Sequence, residues 1–199
     1  MTQEKFTPQE SLSLIQSMIA KARQDISLKT HYYLVWGWLT FIACISQFIL
    51  KNILEYERHY LVWLLMLAGA AYSVYMGRRE DRSNRVKSYI GESMQQVWLG
   101  LGLAYVVLSF VLTRIGWGTN VFPFFIILYG LGTFISGRIL KFRPLVIGGL
   151  LAWALACISV YLKYDYQMLT CAAAILVSYI IPAYMFRFKR SSDLSKSPV

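Results

Sequence analysis

The chain has 199 residues, 57% of them hydrophobic and 15% charged, with 20 Lys and Arg against 10 Asp and Glu and a net charge of +10. Soluble domains carry about 25% charged residues, so this composition excludes an ordinary soluble domain, and the length leaves room for a membrane domain with no soluble domain beside it. A net positive charge of this kind points to an anionic surface on one side of a membrane.

The first 29 residues carry no apolar core or small-residue cleavage site, so the first spanning helix is expected to direct insertion. Thr7-Pro8-Gln9-Glu10 is a capping box, with Thr7 as cap, Pro8 at the first helical position and Glu10 reaching back. Behind it Leu12, Ile15, Ile19, Ala22 and Ile26 recur at intervals of three and four. That stripe predicts an amphipathic cytoplasmic leader helix over 1–29, lying on the inner leaflet, packing beneath the bundle or pairing with a partner helix.

Six stretches without Asp, Glu, Lys or Arg follow, at 30–50, 59–77, 93–113, 115–137, 144–162 and 166–186. About 20 apolar residues rising 1.5 Å each cross the roughly 30 Å of hydrocarbon in a bilayer. Backbone amides in lipid must bond within their own segment, so such spans are helices. The prediction is an all-α polytopic membrane protein with six transmembrane helices over 30–188 and a disordered cytoplasmic tail over 189–199. Asn120 is the expected N-cap of the fourth helix, with Pro123 in its first turn, and Pro144 opens the fifth. The short connections at 52–58, 116–119 and 163–165 force antiparallel neighbours.

Sixteen of the 20 basic residues fall on the side that holds both termini, and Lys51, Arg58, Arg114 and Lys163 fall on the other. Basic residues are retained in the cytoplasm, so both termini are expected there, as an even number of crossings requires. Tyr32, Tyr33, Trp36, Trp98, Phe186 and Phe188 mark the expected inner boundary. Tyr60, Trp63, Trp117, Tyr161, Tyr164 and Tyr166 mark the outer one, as headgroup anchors or, on the functional reading, an aromatic ligand cage.

Small residues recur at four-residue spacing in Gly69, Ser73 and Gly77, in Gly132 and Ser136, in Gly148, Ala152 and Ala156, and in Ala174 and Ser178. They suit close helix packing within the chain or in a homo-oligomer. Ala43-Cys44-Ile45-Ser46 recurs as Ala156-Cys157-Ile158-Ser159, and Tyr75-Met76 with Arg78 recurs as Tyr184-Met185 with Arg187. Such matches are compatible with a duplicated helical hairpin and equally with the shared vocabulary of apolar helices.

No ionisable residue lies deep in a span, which argues against a proton-driven transporter. Gln47 is the most polar intramembrane residue, suited to an interhelical hydrogen bond or to a solute path. Pro182 removes the amide that would bond to the Ser178 carbonyl and predicts a kink, so Pro182, Ser178 and Gln47 are the candidate hinge or cavity residues. His31 and His59 begin helices at opposite ends, too far apart to share a metal. Cys44, Cys157 and Cys171 lie within spans and suit apolar packing. No phosphate loop, His-Glu-x-x-His pair or nucleophile elbow is present, and only Glu92 with the nearby arginines offers acid–base groups at the cytoplasmic edge. No catalytic, cofactor or metal residues are therefore assigned.

Arg78, Arg79, Arg82, Arg85 and Lys87 crowd ten residues between the second and third spans, with Asp81 placed to pair with Arg85. With Leu12, Ile15 and Ile19 of the leader they form a candidate contact surface for membrane lipids or a cytoplasmic protein. Topology already accounts for their charge, so nucleic acid is not expected.

The runs Thr7-Pro8-Gln9-Glu10-Ser11-Leu12-Ser13-Leu14-Ile15 and His31-Tyr32-Tyr33-Leu34-Val35-Trp36-Gly37-Trp38 resemble uncharacterised integral membrane proteins of Bacteroidota-type bacteria, in which an amphipathic leader precedes a Trp-Gly-Trp first span. The resemblance implies the architecture and a bacterial inner membrane and brings no activity. The functional expectation is a non-enzymatic binding, regulatory or scaffolding role through the cytoplasmic face, with a channel or carrier for a small neutral or hydrophobic solute as the alternative.

Overall fold

The computed structural model describes residues 31–32, 34–83, 89–115 and 120–185, and these hold helices and turns with no strand among them. The leader with Leu12, Ile15 and Ile19, the positions Arg85 and Lys87, and the C-terminal tail lie outside the described residues.

Helix α1 spans Leu34–Asn52. A connection containing Glu55 at φ 49° leads into a 3-10 turn, His59–Leu64, which runs on as α2, Leu65–Ser83. Then come α3 (Tyr89–Ile115), α4 (Phe122–Ile139), α5 (Arg143–Ser159) and α6 (Tyr164–Ile175). A π turn, Leu176–Ile180, carries the last helix on as a span to Met185. Five of these segments are long and apolar enough to cross a membrane. The fifth charge-free stretch forms a shorter apolar helix of 17 residues, or roughly 26 Å at 1.5 Å per residue.

Contacts at both ends establish that consecutive helices alternate in direction. Trp63 at the start of the second segment donates to Gln47 near the end of α1, while Trp36 near the start of α1 donates to Ser73 of α2. Lys51 pairs with Asp165 at the start of α6, and Trp38 donates to Tyr184 at the far end of the same span. The end carrying Lys51 and Asp165 is called the upper end below; the lower end carries Tyr184 and the α4–α5 turn.

Burial is uneven. In the most apolar stretch of each span, 56% of residues are buried for α6, 44% for α4 and 28% for α1, against 11% for α3 and 6% for α2. The core is built on α4 and α6, with Ile126, Tyr129, Met168, Cys171, Ile175 and Tyr179 at its centre. Helix α5 closes on α4 through glycines. A Cβ on Gly149 would stand 2.9 Å from the Gly130 carbonyl oxygen and from the Phe134 nitrogen, and one on Gly137 would stand 2.7 Å from the Val146 nitrogen. Gly148 faces the Ser178 backbone of α6 in the same way. In lipid, where burial of apolar surface gives little drive, such backbone approach supplies the packing energy.

Several expectations are corrected. Asn120 does not cap α4: the N-cap is Val121 without a side-chain hydrogen bond, and Asn120 instead accepts from Gln167 of α6 at 2.8 Å. Trp36, Trp63 and Trp98 also have partners within the bundle. The first two donate inward, and Trp98 meets Tyr179 edge-on at 5.6 Å. The matched fragments sit in unlike places, since Cys44 is buried in α1 and Cys157 is exposed on α5. At Pro182 the missing amide is accommodated by the π turn immediately before it, a local widening that re-satisfies freed carbonyls in spanning helices.

Candidate functional site

Gln47, Ser178 and Pro182 do not form one site. Gln47 lies one helical turn before Lys51 at the upper end, whereas Ser178 stands 13 residues past Asp165 along the last span, roughly 20 Å lower. Each belongs to a different neighbourhood.

Gln47 is 2% exposed and is the hub of a polar cluster that joins three segments. Its Oε1 accepts from Trp63 Nε1 at 2.7 Å, and its Nε2 lies 3.2 Å from His59 Nδ1. The Lys51 ammonium pairs with the Asp165 carboxylate at 2.5 Å and lies 4.4 Å above the Tyr164 ring. Phe122 closes the cluster from α4, with ring centroids 6.3 Å from Trp63 and 5.5 Å from Tyr164. Two turns of helix thus place every partner. Lys51 and Gln47 are four residues apart on one face of α1, and His59 and Trp63 share a face of the segment that folds back on it. Beside this cluster Gln167 donates to Asn120 and to the Leu162 carbonyl, and its Oε1 is buried without a partner.

The middle of the bundle is filled by aromatic residues. Tyr129 of α4 bonds to Thr40 of α1 at 2.6 Å, and its ring meets those of Tyr105 and Tyr179 at 5.3 and 5.9 Å. Thr40 also donates to the Trp36 carbonyl in its own helix. Cys44 and Cys171 face each other across the α1–α6 boundary as free, buried thiols.

The lower end is basic. Arg78 and Arg79 at the end of α2, Arg138 at the end of α4, and Lys141 and Arg143 in the α4–α5 turn are all exposed. Lys141 holds the left-handed conformation, φ 51°, that lets the chain reverse in a few residues. Among the described side chains, which leave out those of 80–90, none of the five has an ion-pair partner, and Lys51–Asp165 is the one salt bridge. Arg82 falls within α2, beyond this exposed pair.

An open groove of ≈ 410 Å³ runs between α1 and the second segment, lined by Ser46, Ile49, Leu50, Val62 and Leu65. Its lining suits an acyl chain better than a polar solute. Among the described residues no three His, Cys, Asp or Glu side chains group as metal ligands, and the two histidines keep separate company: His31 bonds to Tyr72 and His59 to Gln47.

Sequence reasoning singled out Gln47 and the arginines and passed over Trp63, His59 and the Lys51–Asp165 pair. Trp63 carried the pattern of a boundary aromatic, and the pairing partners lie up to 114 residues apart. Compared with protein-family models, with curated proteins and with solved structures, the chain matches none.

Proposed function

We propose that the protein is a multi-pass protein of a bacterial inner membrane, with both termini in the cytoplasm, that works without catalysis as a binding or scaffolding element through its basic cytoplasmic face. The observation that carries this reading is the unequal treatment of charge at the two ends. At the upper end Lys51 is committed to Asp165, and Glu55 and Glu57 lie beside Arg58. At the lower end Arg78, Arg79, Arg138, Lys141 and Arg143 are exposed, with no acidic partner among the described side chains, those of 80–90 lying outside them. Basic residues retained on the cytoplasmic side orient the chain and leave a surface complementary to an acidic protein. The resemblance of the Thr7–Ile15 and His31–Trp38 runs to bacterial membrane proteins agrees with this location.

Photocrosslinking residues placed at Arg79 and Arg138 in intact membranes should trap a discrete protein, and the same residues at Arg58 and Lys163 should not. Loss of the adduct on joint neutralisation of Arg78, Arg79 and Arg143, with insertion unchanged, is expected. Equal trapping at both ends would end the proposal.

A second reading, passage of a small neutral solute, is favoured by one feature. Ser136, Ser159, Gln167 and Ser178 bury polar atoms without partners along α4, α5 and α6, and such atoms are normally satisfied by protein or water. Flux of water or a small polyol through vesicles holding the protein, above that of empty vesicles, would support it.

A further inference from the structure

The polar cluster at the upper end has a directional logic. The Trp63 indole N–H can only donate, so the oxygen of the Gln47 amide must face it, as it does at 2.7 Å. The amide nitrogen then faces His59 Nδ1 at 3.2 Å. A donor at that position requires an acceptor opposite, so Nδ1 carries a lone pair and the imidazole hydrogen sits on Nε2.

Protonating His59 adds a hydrogen at Nδ1 and sets donor against donor. Turning the amide over gives His59 its acceptor but brings the amide nitrogen against the Trp63 N–H. No orientation of one amide accepts on both sides. Gln47 is almost wholly buried and His59 half-buried, so the mismatch is relieved only as the imidazole swings out toward water and leaves the amide.

The surrounding charges do not remove the conflict. Lys51 comes from α1, and Asp165 and Tyr164 come from α6. Glu55, Glu57 and Arg58 come from the connection before the 3-10 turn, and α4 contributes the uncharged Phe122. Asp165, the one carboxylate built into the cluster, is already held by Lys51.

We propose that Trp63, Gln47 and His59 form a proton-operated latch, in which neutral His59 fastens the 3-10 turn to α1 and protonated His59 releases it. Its use as a sensor of the medium outside the cell rests on the orientation proposed above, whereas the release itself does not.

The latch is tested in the full-length protein by electron–electron distance measurement between spin labels on Tyr60→Cys and Tyr161→Cys. Both positions are exposed, and Cys157→Ala removes the one exposed native thiol. Distances are read across a titration from about pH 7.5 through pH 5 to about pH 4, reaching well below the ordinary imidazole pKa of about 6.5. The parent should show one distance at the higher pH and gain a longer population at the lower. His59→Asn keeps an acceptor where Nδ1 stood and should hold the short distance at both. Gln47→Glu offers a carboxylate that accepts from Trp63 and from a His59 Nδ1–H, present in the protonated ring and in one neutral tautomer, so the short distance should hold at both. A parent insensitive to pH, or a His59→Asn protein that still opens, overturns the latch. Should Gln47→Glu fail to fold, the melting temperature decides between the other two: a drop from pH 7.5 to pH 5 in the parent that His59→Asn lacks supports the latch, and an equal drop in both refutes it.

Discussion

The glycines of α4 and α5 and those of α3 are the same residue in opposite circumstances. At Gly130, Gly137 and Gly149 a side chain would meet atoms at 2.7–2.9 Å, much of it backbone of the neighbouring helix. At Gly100 and Gly102, and at Gly77 of α2, nothing stands within 4 Å. The first group lets two helices touch along their backbones; the second leaves gaps on faces turned to lipid. The described helices thus centre on a dense three-helix unit of α4, α5 and α6; α3 is laid against it along α4, and α2 packs on α1. A glycine in a spanning helix is evidence of packing only when a partner helix stands over it.

The sharpest way to break the contrast is Gly149→Leu. The Gly130 carbonyl and the Phe134 backbone cannot move without separating α4 from α5, so several kcal/mol of stability should be lost. Thermal unfolding in detergent should show an early transition, and an unchanged melting temperature would mean the seam is not close. Gly100→Leu should not lower the melting temperature.

A smaller effect is expected in the aromatic middle. Thr40→Val leaves the Tyr129 hydroxyl buried without its partner and should cost about 1–3 kcal/mol. Tyr129→Phe should cost less, roughly 1 kcal/mol, because Thr40 keeps its bond to the Trp36 carbonyl. Equal losses in chemical denaturation would mean that the two hydroxyls do not depend on each other.

Removing the Lys51–Asp165 pair by Asp165→Asn comes next. Both side chains are about one-third exposed, and pairs of this kind contribute up to about 1 kcal/mol, less with added salt. The smallest change is a gain. Gly100→Ala and Gly102→Ala relieve helix-interior glycine and should each stabilise by about 0.5–1 kcal/mol, read as a small rise in melting temperature.

The spans were legible because lipid tolerates so little: long charge-free runs become helices wherever they fall, and α1, α3, α4 and α6 lie close to the runs at 30–50, 93–113, 115–137 and 166–186. What the runs concealed was the state of their ends. The stretch from His59 opens as a 3-10 turn, and Asn120 looks outward along the chain like a cap while its partner is Gln167 in another helix. The α4–α5 seam was hidden. Four-residue spacing caught Gly132, which meets Trp98 and Leu101 of α3, and Gly148, which meets Ser178 of the last span, whereas the seam's own Gly130 and Gly137 are seven apart. Gln47 was marked by polarity alone, and nothing local to it indicated Trp63, His59 or Tyr164.

The π turn ahead of Pro182 also sets a rule for length. One residue more than an α-helix needs is held in Leu176–Ile180, and each helical residue advances the face by about 100°. Deleting one residue there would let the span close into regular helix with little rotation beyond it, because the wide turn and an α turn sweep about the same angle with one residue of difference. Tyr184 would stay near Trp38 and Ala183 in the core. What would be lost is the widening ahead of Pro182, so the closed helix would have to bend around the proline ring and leave a carbonyl unpaired.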